Sequence, residues 1–296
     1  MKSVFFIVGP TAVGKSEIAA EVAQGLGAEI VSADAFQVYR GLDLLTAKPG
    51  PATLAKVPHH LIGTVPLSEE MNAEKYRTLA EKIIARGKPV IVVGGTGLYV
   101  KALTHGLAEL PGANSTLREK LERATTEELW RSLRGLDPES AGTIDRQNRR
   151  RLVRAVEVCL LTKKPFSSLR VEWNQSLPEN GILLSRERAE LYALINERVE
   201  QMFAAGVVEE VRGIGNLGLT AEKTLGLREI RALLAGGISQ AECIARIQQL
   251  TRRYAKRQLT WFQRQTNFSP LNLSEHRTSE AVELIWQSAS RLLAPG

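Results

Sequence analysis

The residues best suited to chemistry stand near the start of the chain, in the stretch GPTAVGKS at residues 9–16. The spacing from Gly9 to Gly14, followed by Lys15 and Ser16, is typical of loops that hold phosphate groups. The glycines let successive backbone N–H groups point at phosphate oxygens, Lys15 adds positive charge, and the Ser16 hydroxyl can ligate Mg²⁺. We therefore predict a phosphate-binding loop formed by Gly9, Pro10, Thr11, Ala12, Val13, Gly14, Lys15 and Ser16.

Two other classes of phosphate loop compete with this interpretation. A dinucleotide site would use Asp34, twenty residues after Gly14, but it needs a Gly-x-Gly-x-x-Gly pattern without the Lys-Ser pair. ATPases and GTPases of the predicted class carry an apolar strand that ends in an Asp near the magnesium ion. The strand PVIVVGGTG ends in glycines and a threonine, whereas AEIVSAD does end in Asp34. A small-molecule kinase therefore stays open at this point.

Short apolar runs alternate with helical patterns through the first hundred residues. These are the elements that must position the loop. The runs cover residues 3–9, 28–34, 59–63 and 89–95, and the helical patterns cover 15–26 and 73–87. This order predicts an α/β fold, with a phosphate-loop parallel sheet covered by helices on both faces.

The pattern changes near Pro111 and becomes polar and helical. The next apolar strand is GILLSR at 181–186, after which the pattern is helical again. We predict a core formed by residues 1–112 and 182–296, interrupted by a helical insertion at 113–181. The insertion carries five arginines within residues 145–154 and is for that reason predicted to bind RNA.

The composition is that of an ordinary globular protein, with 296 residues, 44% apolar and 24% charged. No apolar run approaches the roughly 20 residues of a membrane span, and the run at 3–8 is predicted to be a first strand and not a signal peptide. Cys159 and Cys243 lack metal-ligand spacing and are predicted to be structural. We expect a cytoplasmic monomer without a membrane partner.

Basic residues concentrate in two segments. Residues 145–154 hold five arginines and one acid, and residues 251–264 hold five basic residues, no acid and three aromatic residues. A single charge run is usually a solvated surface, but two runs beside a phosphate loop, with a net charge of +7, favour an RNA partner.

Five blocks together resemble the tRNA dimethylallyltransferases. They occur in family order and cover most of the chain: GPTAVGKS at 9–16, DAFQVYRGLDLLTAKP at 34–49, VPHHLIG at 57–63, VGGTGLYVKAL at 93–103 and TRRYAKRQLTWF at 251–262. The resemblance implies transfer of a dimethylallyl group from dimethylallyl diphosphate to N6 of the adenosine 3′ of the anticodon. The chain also ends without the zinc-finger extension of eukaryotic relatives, so we expect the bacterial type.

The resemblance implies roles for individual residues. The loop would hold the departing diphosphate with Mg²⁺ on Ser16, and Lys223 and Arg228 would add charge there. The amine must lose a proton, so a carboxylate is needed nearby, and Asp34 is the candidate general base because it ends a predicted strand; its alternative role is to cap the following turn. Thr96, in the glycine-rich turn after VIVV, is the second catalytic candidate.

The resemblance also implies contacts to the anticodon stem-loop of tRNA. Gln37 could pair with a base edge through its amide. The full predicted set is Asp34, Ala35, Phe36, Gln37, Arg118, Arg149, Arg150, Arg151, Arg154, Arg252, Arg253, Lys256 and Arg257.

Several positions depart from the family pattern. Ala35 stands where Ser is usual, Leu44-Leu45 where Ile-Gly is usual, Gly63 where Asp is common, and Tyr76 where Phe is usual. The stretch RQNRRRLVR at residues 146–154 also lacks the Asp and Pro that are customary before the arginines. These departures affect loop geometry and tRNA selectivity more than the reaction. Besides the kinase, two alternatives stay open: an enzyme that prenylates free adenine nucleotides, and a non-catalytic RNA-binding protein.

Overall fold

The computed structural model describes residues 4–108, 110–169 and 177–293. Contacts divide the chain into two compact units, Met1–Thr104 with Ser176–Gly296, and His105–Gln175. These boundaries lie a few residues from the predicted ones at 112 and 182. Ser3 of the predicted first strand and residues 170–176 of the predicted insertion lie outside the described residues.

The first unit contains a six-stranded parallel sheet within its described residues, in the order β3-β2-β4-β1-β5-β6. Its strands are β1 Val4–Val8, β2 Glu29–Ser32, β3 His59–His60, β4 Val90–Gly94, β5 Gly181–Ser185 and β6 Ser269–Asn272. The predicted α/β class with a parallel sheet is confirmed.

Thirteen α-helices occur in the described part of the chain. They are α1 Lys15–Leu26, α2 Pro51–Leu54, α3 Ala73–Ile84, α4 Gly97–His105, α5 Ser115–Arg123, α6 Thr126–Leu136, α7 Pro138–Thr143, α8 Arg149–Thr162, α9 Arg188–Ala204, α10 Val207–Arg212, α11 Leu227–Leu234, α12 Gln240–Gln265 and α13 Thr278–Leu293. Helices α5 to α8 belong to the second unit.

Helices cover both faces of the sheet. Successive side chains of a strand point to opposite faces, so Phe5 packs in one core and Phe6 in the other. The first core includes residues of α1, α9 and α13, and the second includes residues of α3 and α4. Because both faces are buried, the central strands read as continuous apolar runs.

Helix α1 begins and ends at glycines. Gly14 precedes it with a φ of 103°, and Gly27 follows it with a φ of 60°, donating its N–H to the carbonyls of Ala23 and Gln24. Both conformations favour glycine. The helix therefore starts directly at the end of the predicted phosphate loop.

Strand β6 is a feature that the sequence pattern does not predict, because the pattern after residue 186 is helical throughout. Its sequence is SPLN, and Leu271 is its one buried residue. Pro270 is tolerated because β6 lies at the edge of the sheet, next to β5. Such a strand owes its existence to its neighbour rather than to its own apolar pattern.

Helices α5 to α8 form the second unit around their own apolar core, in which Leu129, Leu133 and Leu152 are fully buried. Side chains of Asn114, Thr125, Asp137 and Asn148 accept backbone N–H bonds at the first turns of the four helices. Such caps satisfy donors that the helix itself cannot.

None of the helices among the described residues is long and apolar enough to span a bilayer.

Tyr76 is a first test of this packing, because its ring stacks on Tyr99 at 4.1 Å between centroids. Its hydroxyl is buried without a hydrogen-bond partner among the described residues. An unpaired buried hydroxyl costs free energy, so Tyr76→Phe should raise the free energy of unfolding by about 1 kcal/mol, measured by urea titration.

Tyr39 provides the matched control. It is equally buried, but its hydroxyl accepts the N–H of Met71 at 3.1 Å. Tyr39→Phe should therefore lower the free energy of unfolding, and equal shifts in the two variants would contradict this assignment.

Candidate active site

The strand order brings three functional segments to one edge of the sheet. The phosphate loop follows β1, Asp34 follows β2, and Thr96 follows β4, which lies between the other two strands. Val8 pairs with Gly94 and Ser32 with Val93. Because the strands are parallel, their carboxyl ends meet at the same edge, where ligands bind in such sheets.

The carboxyl ends of β2 and β4 pack closely and are linked by hydrogen bonds. A Cβ atom at Gly94 would lie 2.3 Å from the carbonyl oxygen of Ala33, so glycine is required there. The N–H of Thr96 donates to Ala33 at 3.0 Å, and the Thr96 hydroxyl accepts the N–H of Ala35 at 3.0 Å. These bonds fix Asp34 next to the glycine-rich turn.

Asp34 does cap the turn that follows it. Its Oδ1 atom accepts the N–H groups of Phe36 at 2.9 Å and Gln37 at 3.1 Å. Asp34 also lines the main cavity of the first unit, so capping and access to a ligand coexist. The turn thus holds the carboxylate in one orientation.

The amide of Gln37 is engaged within the protein. Its Nε2 atom donates to the carbonyls of Thr46 at 3.2 Å and Ala47 at 3.0 Å. This amide nitrogen holds the segment around Lys48 beside the cavity, and the contact of Gln37 with a base stays a prediction.

The backbone of the phosphate loop is strained at Ala12 and closely packed at Gly9. Ala12 has a φ of 65°, and Gly9 leaves no room for a side chain, since a Cβ atom would lie 2.5 Å from the carbonyl oxygen of Leu184. Strained residues of this kind cluster at ligand clamps. Lys15 Nζ donates to the carbonyl of Pro10 at 2.6 Å.

The cavity has a volume of about 170 Å³. Seven of the predicted site residues line it: Thr11, Ala12, Gly14, Lys15, Ser16, Asp34 and Gln37. Lys223 and Arg228 are exposed, and neither lines the cavity.

Thirteen further residues line the same cavity, and among them Glu17, His59, Arg198 and Gln258 carry charged or polar side chains that were not predicted. Arg198 lies on α9, where burial lowers the pKa of its guanidinium and the charge of Glu17 opposes that shift. Its helix buries Ile195 and Val199. The sequence did contain a signal for Arg198, because this cation stands next to Val199 on the buried face of α9.

His59, on β3, also lines the cavity. Its Nδ1 atom is 2.8 Å from the carbonyl of Val57, and burial lowers the pKa of the imidazole. The ring is therefore neutral at pH 7.

Burial is the main influence on Lys15 and lowers the pKa of its ammonium from 10.5 to about 8. The negative charge of Asp34 raises that pKa, the positive charge of Arg198 lowers it, and Glu17 raises it. Two cations thus share the cavity with two carboxylates. A group that brings several negative charges complements this arrangement.

One face of helix α12 packs against the phosphate loop and the glycine-rich turn. Gln258 Oε1 accepts the N–H of Thr11 at 2.9 Å, and its Nε2 atom donates to the carbonyl of Gly95 at 2.9 Å. Trp261 packs so closely on Gly97 that a Cβ atom there would lie 2.3 Å from its ring.

Tyr254 lies one turn before Gln258 on the same helix. Burial raises the pKa of its phenol, the charge of Asp34 adds to that shift, and hydrogen bonding to Thr96 and Gln258 opposes it. The phenol is therefore neutral beside the predicted base.

The predicted RNA-contacting residues of α12 divide into two groups. Arg253, Lys256 and Arg257 are exposed, and Arg257 lies 5.8 Å over the ring of Tyr254. Arg252 donates to Asn196 Oδ1 on α9 at 2.5 Å. The exposed group forms a basic surface, whereas Arg252 ties α12 to α9.

The predicted arginines of the second unit divide in the same way. Glu157 is fully buried, and it accepts two bonds from Arg118 at 3.0 and 3.1 Å and one from Arg154 at 2.8 Å. Burial alone would raise the pKa of Glu157, but the bonds from Arg154, Arg118 and the Asn114 N–H outweigh it and hold the pKa below its ordinary value. These two arginines therefore hold the unit together.

Arg149 also has a structural role, since its Nη2 atom donates to the carbonyls of Glu122 and Ala124 at the end of α5. Arg150 and Arg151 are exposed. Among the four arginines of this segment that were predicted to contact tRNA, these two have exposed side chains.

The departures from the family pattern are accommodated by local contacts. Glu210 accepts the N–H groups of Leu44 and Leu45, both at 2.8 Å, and thereby anchors their loop. Gly63 has a φ of 60°, and its N–H donates to the carbonyl of Gln37 at 2.9 Å.

The sequence matches the family described as IPP transferase over residues 37–265. A tRNA dimethylallyltransferase of Akkermansia muciniphila is 44% identical over 264 residues, which span 88% of this chain and 90% of that protein. A tRNA dimethylallyltransferase of Geobacter sulfurreducens is 46% identical over 273 residues, spanning 87% of this chain and 88% of that protein.

Solved structures are similar as well. The full-length tRNA isopentenylpyrophosphate transferase of Bacillus halodurans superposes with a TM-score of 0.70 at 33% identity, covering 99% of this chain and 97% of that one. A eukaryotic dimethylallyltransferase acting on tRNA superposes with a TM-score of 0.76 at 23% identity, covering 94% and 77%. The second likeness supports the fold.

The low pKa of Lys15 predicts how anion binding depends on pH. Free Lys15 loses its proton above about pH 8, so the free protein then presents less positive charge to an anion. The dissociation constant of inorganic diphosphate, measured calorimetrically in metal-free buffer, should rise up to about tenfold more between pH 7 and pH 9 than in Lys15→Arg, which keeps its charge.

Bound diphosphate restores the proton, so wild-type binding should take up a proton at pH 9, seen as a dependence on the ionisation enthalpy of the buffer. Identical pH profiles for wild type and Lys15→Arg would contradict this account of Lys15.

Proposed function

The chain belongs to the IPP transferase family, and from this membership we propose that it transfers a dimethylallyl group from dimethylallyl diphosphate to N6 of the adenosine 3′ of the anticodon in tRNA. Curated relatives at 44–46% identity are named tRNA dimethylallyltransferases, so the chain is an enzyme of the prenyltransferase kind. The observation that carries the proposal is the shared cavity of Asp34 and the phosphate loop.

The diphosphate binds the loop and leaves from it. As the bond between the dimethylallyl carbon and the diphosphate oxygen breaks, negative charge develops on that oxygen. Lys15 and Arg198 line the cavity, and together with the loop N–H groups and the amino end of α1 they would stabilise this charge. Arg198 occupies the cavity lining, whereas Lys223 and Arg228 stay predictions as diphosphate ligands.

Asp34 activates the acceptor. The nitrogen lone pair of the adenine amine forms the new bond to the dimethylallyl carbon while the amine proton passes to the carboxylate. Because the N–H groups of Phe36 and Gln37 hold Oδ1, the carboxylate keeps its orientation through this transfer. Thr96 lies beside it and orients the acceptor through the turn it anchors.

A magnesium ion fits this donor set. Mg²⁺ favours oxygen ligands and commonly takes one or two carboxylates together with substrate phosphates. The Ser16 hydroxyl would hold it, and the oxygens of Asp34 and Glu17 lie in the same cavity lining. When bound, the ion neutralises phosphate charge.

The tRNA supplies its adenosine from a loop. A stacked base cannot reach a carboxylate that lines a cavity, so the target must be turned out of the anticodon loop. The exposed cations of the two units, Arg150, Arg151, Arg253, Lys256 and Arg257, suit contacts to phosphates that carry no sequence information. Both basic segments thus support a polynucleotide substrate over a free nucleotide.

Asp34 can be tested without disturbing its turn, because Asn keeps an oxygen that accepts the same N–H bonds. With labelled dimethylallyl diphosphate and tRNA lacking the modification, wild type should label the tRNA. Asp34→Asn should lower kcat by about 100-fold or more, since a positioned base contributes on that order. The KM for tRNA should change less than the rate.

Asp34→Ala is the comparison, because it removes both the base and the cap. An Asp34→Asn enzyme with wild-type kcat would end the assignment of Asp34 as the base, whereas ATP-dependent phosphorylation without labelled tRNA would favour a kinase.

The exposed arginines of the second unit should act through charge alone. In Arg150→Ala/Arg151→Ala, the KM for tRNA should rise about tenfold. The slope of log affinity against log salt should fall by about 2, because the substitutions remove two cations that would each neutralise a phosphate. The melting temperature should not change.

Arg118→Ala is the matched control in the same unit. It leaves the buried carboxylate of Glu157 with one arginine, so it should lower stability by about 1–3 kcal/mol. A melting temperature lowered as much by the double substitution as by Arg118→Ala would contradict the division between exposed and structural arginines.

A further inference from the structure

Gln258 lies between the phosphate loop and the glycine-rich turn after β4. Its side chain is buried on α12, between the phosphate loop and the turn that carries Thr96. Its amide oxygen takes the N–H of Thr11, and its amide nitrogen donates to the carbonyl of Gly95. One planar group thus bonds to both loops.

The packing around this amide leaves little freedom. A Cβ atom at Gly95 would lie 2.1 Å from Gln258 Nε2 and 3.2 Å from the carbonyl oxygen of Gly9. The two loops therefore touch directly beside the amide. Two neighbours of Gln258 on the same helix also contact the glycine-rich turn. Tyr254, about one helical turn earlier, hydrogen-bonds to Thr96, and Trp261, about one helical turn later, packs on Gly97.

Both bonds are needed at this place. Thr11 N–H and Gly95 C=O are backbone groups, and a buried backbone group without a partner costs free energy. Only a side chain with a donor and an acceptor at the right reach satisfies both groups together. A shorter amide reaches one of them, and an apolar side chain reaches neither.

We infer that Gln258 is a positioning residue that sets the separation between the departing diphosphate and the acceptor amine. This inference rests on the proposed function. Thr11 belongs to the loop that would hold the diphosphate, and Gly95 precedes the turn that fixes Thr96 and Asp34. Displacing reacting groups by about 1 Å can cost about 100-fold in rate.

The experiment compares Gln258→Asn and Gln258→Leu with wild type. We expect kcat for transfer to tRNA to fall about 100-fold in both variants, and the dissociation constant of inorganic diphosphate to rise at least about tenfold. The KM for tRNA should stay within about threefold of wild type. Asn is polar but one methylene shorter than Gln. A low kcat in Gln258→Asn would therefore show that both hydrogen bonds are needed and that a polar side chain alone is not enough.

Gln248 is the matched control on the same helix. Its amide donates to the carbonyl of Asn196 on α9 at 3.3 Å, and it does not line the cavity. Gln248→Leu should change stability without changing kcat or diphosphate affinity. If it lowers kcat as much as Gln258→Leu does, general loosening of α12 explains both effects and the inference is overturned.

Wild-type kcat and diphosphate affinity in Gln258→Asn would also overturn it, even if Gln258→Leu does not fold. Failure of the proposed function has a different signature. In that case wild type itself transfers no dimethylallyl group to tRNA, while diphosphate affinity measured by calorimetry still reports on Gln258.

Discussion

The parallel pairing of β4 between β1 and β2 is the constraint on which the site depends. It places the phosphate loop, the turn of Thr96 and the carboxylate of Asp34 side by side at one sheet edge. The pairing is tight because Gly94 lets β4 lie directly against the backbone of Ala33. The proximity of Asp34 to the phosphate loop thus follows from strand order.

The charged side chains of the cavity favour the binding of an anion. Burial opposes the charges of Lys15 and Arg198, while Asp34 and Glu17 partly offset that cost. Such a cavity is poised for an anion, because bound negative charge relieves the repulsion between the two cations. A leaving diphosphate fits this balance better than a neutral ligand does, and preorganised charge of this kind stabilises a departing anion without rearrangement.

Arginine serves two purposes in this protein, and the surroundings of each side chain decide which. Arg118 and Arg154 neutralise the buried Glu157, whereas Arg150 and Arg151 on the same segment face solvent. On α12 one face holds Gln258 and Trp261 against the turn of Thr96, and the exposed face carries Arg253 and Lys256. One helix thus supports the turn and presents a basic surface.

The sequence by itself determined the α/β class, the phosphate loop, the family, and Asp34 and Thr96 as candidates, because local spacing and continuous apolar runs encode local backbone structure. Only the tertiary structure decided that Arg198 and Gln258 line the same cavity as Lys15, since they come from helices far along the chain. It also decided that Gln37 uses its amide on Thr46 and Ala47, and that SPLN forms a strand at the sheet edge. These outcomes depend on which elements pack together, and the packing of distant elements leaves no periodic signal in the residues that meet.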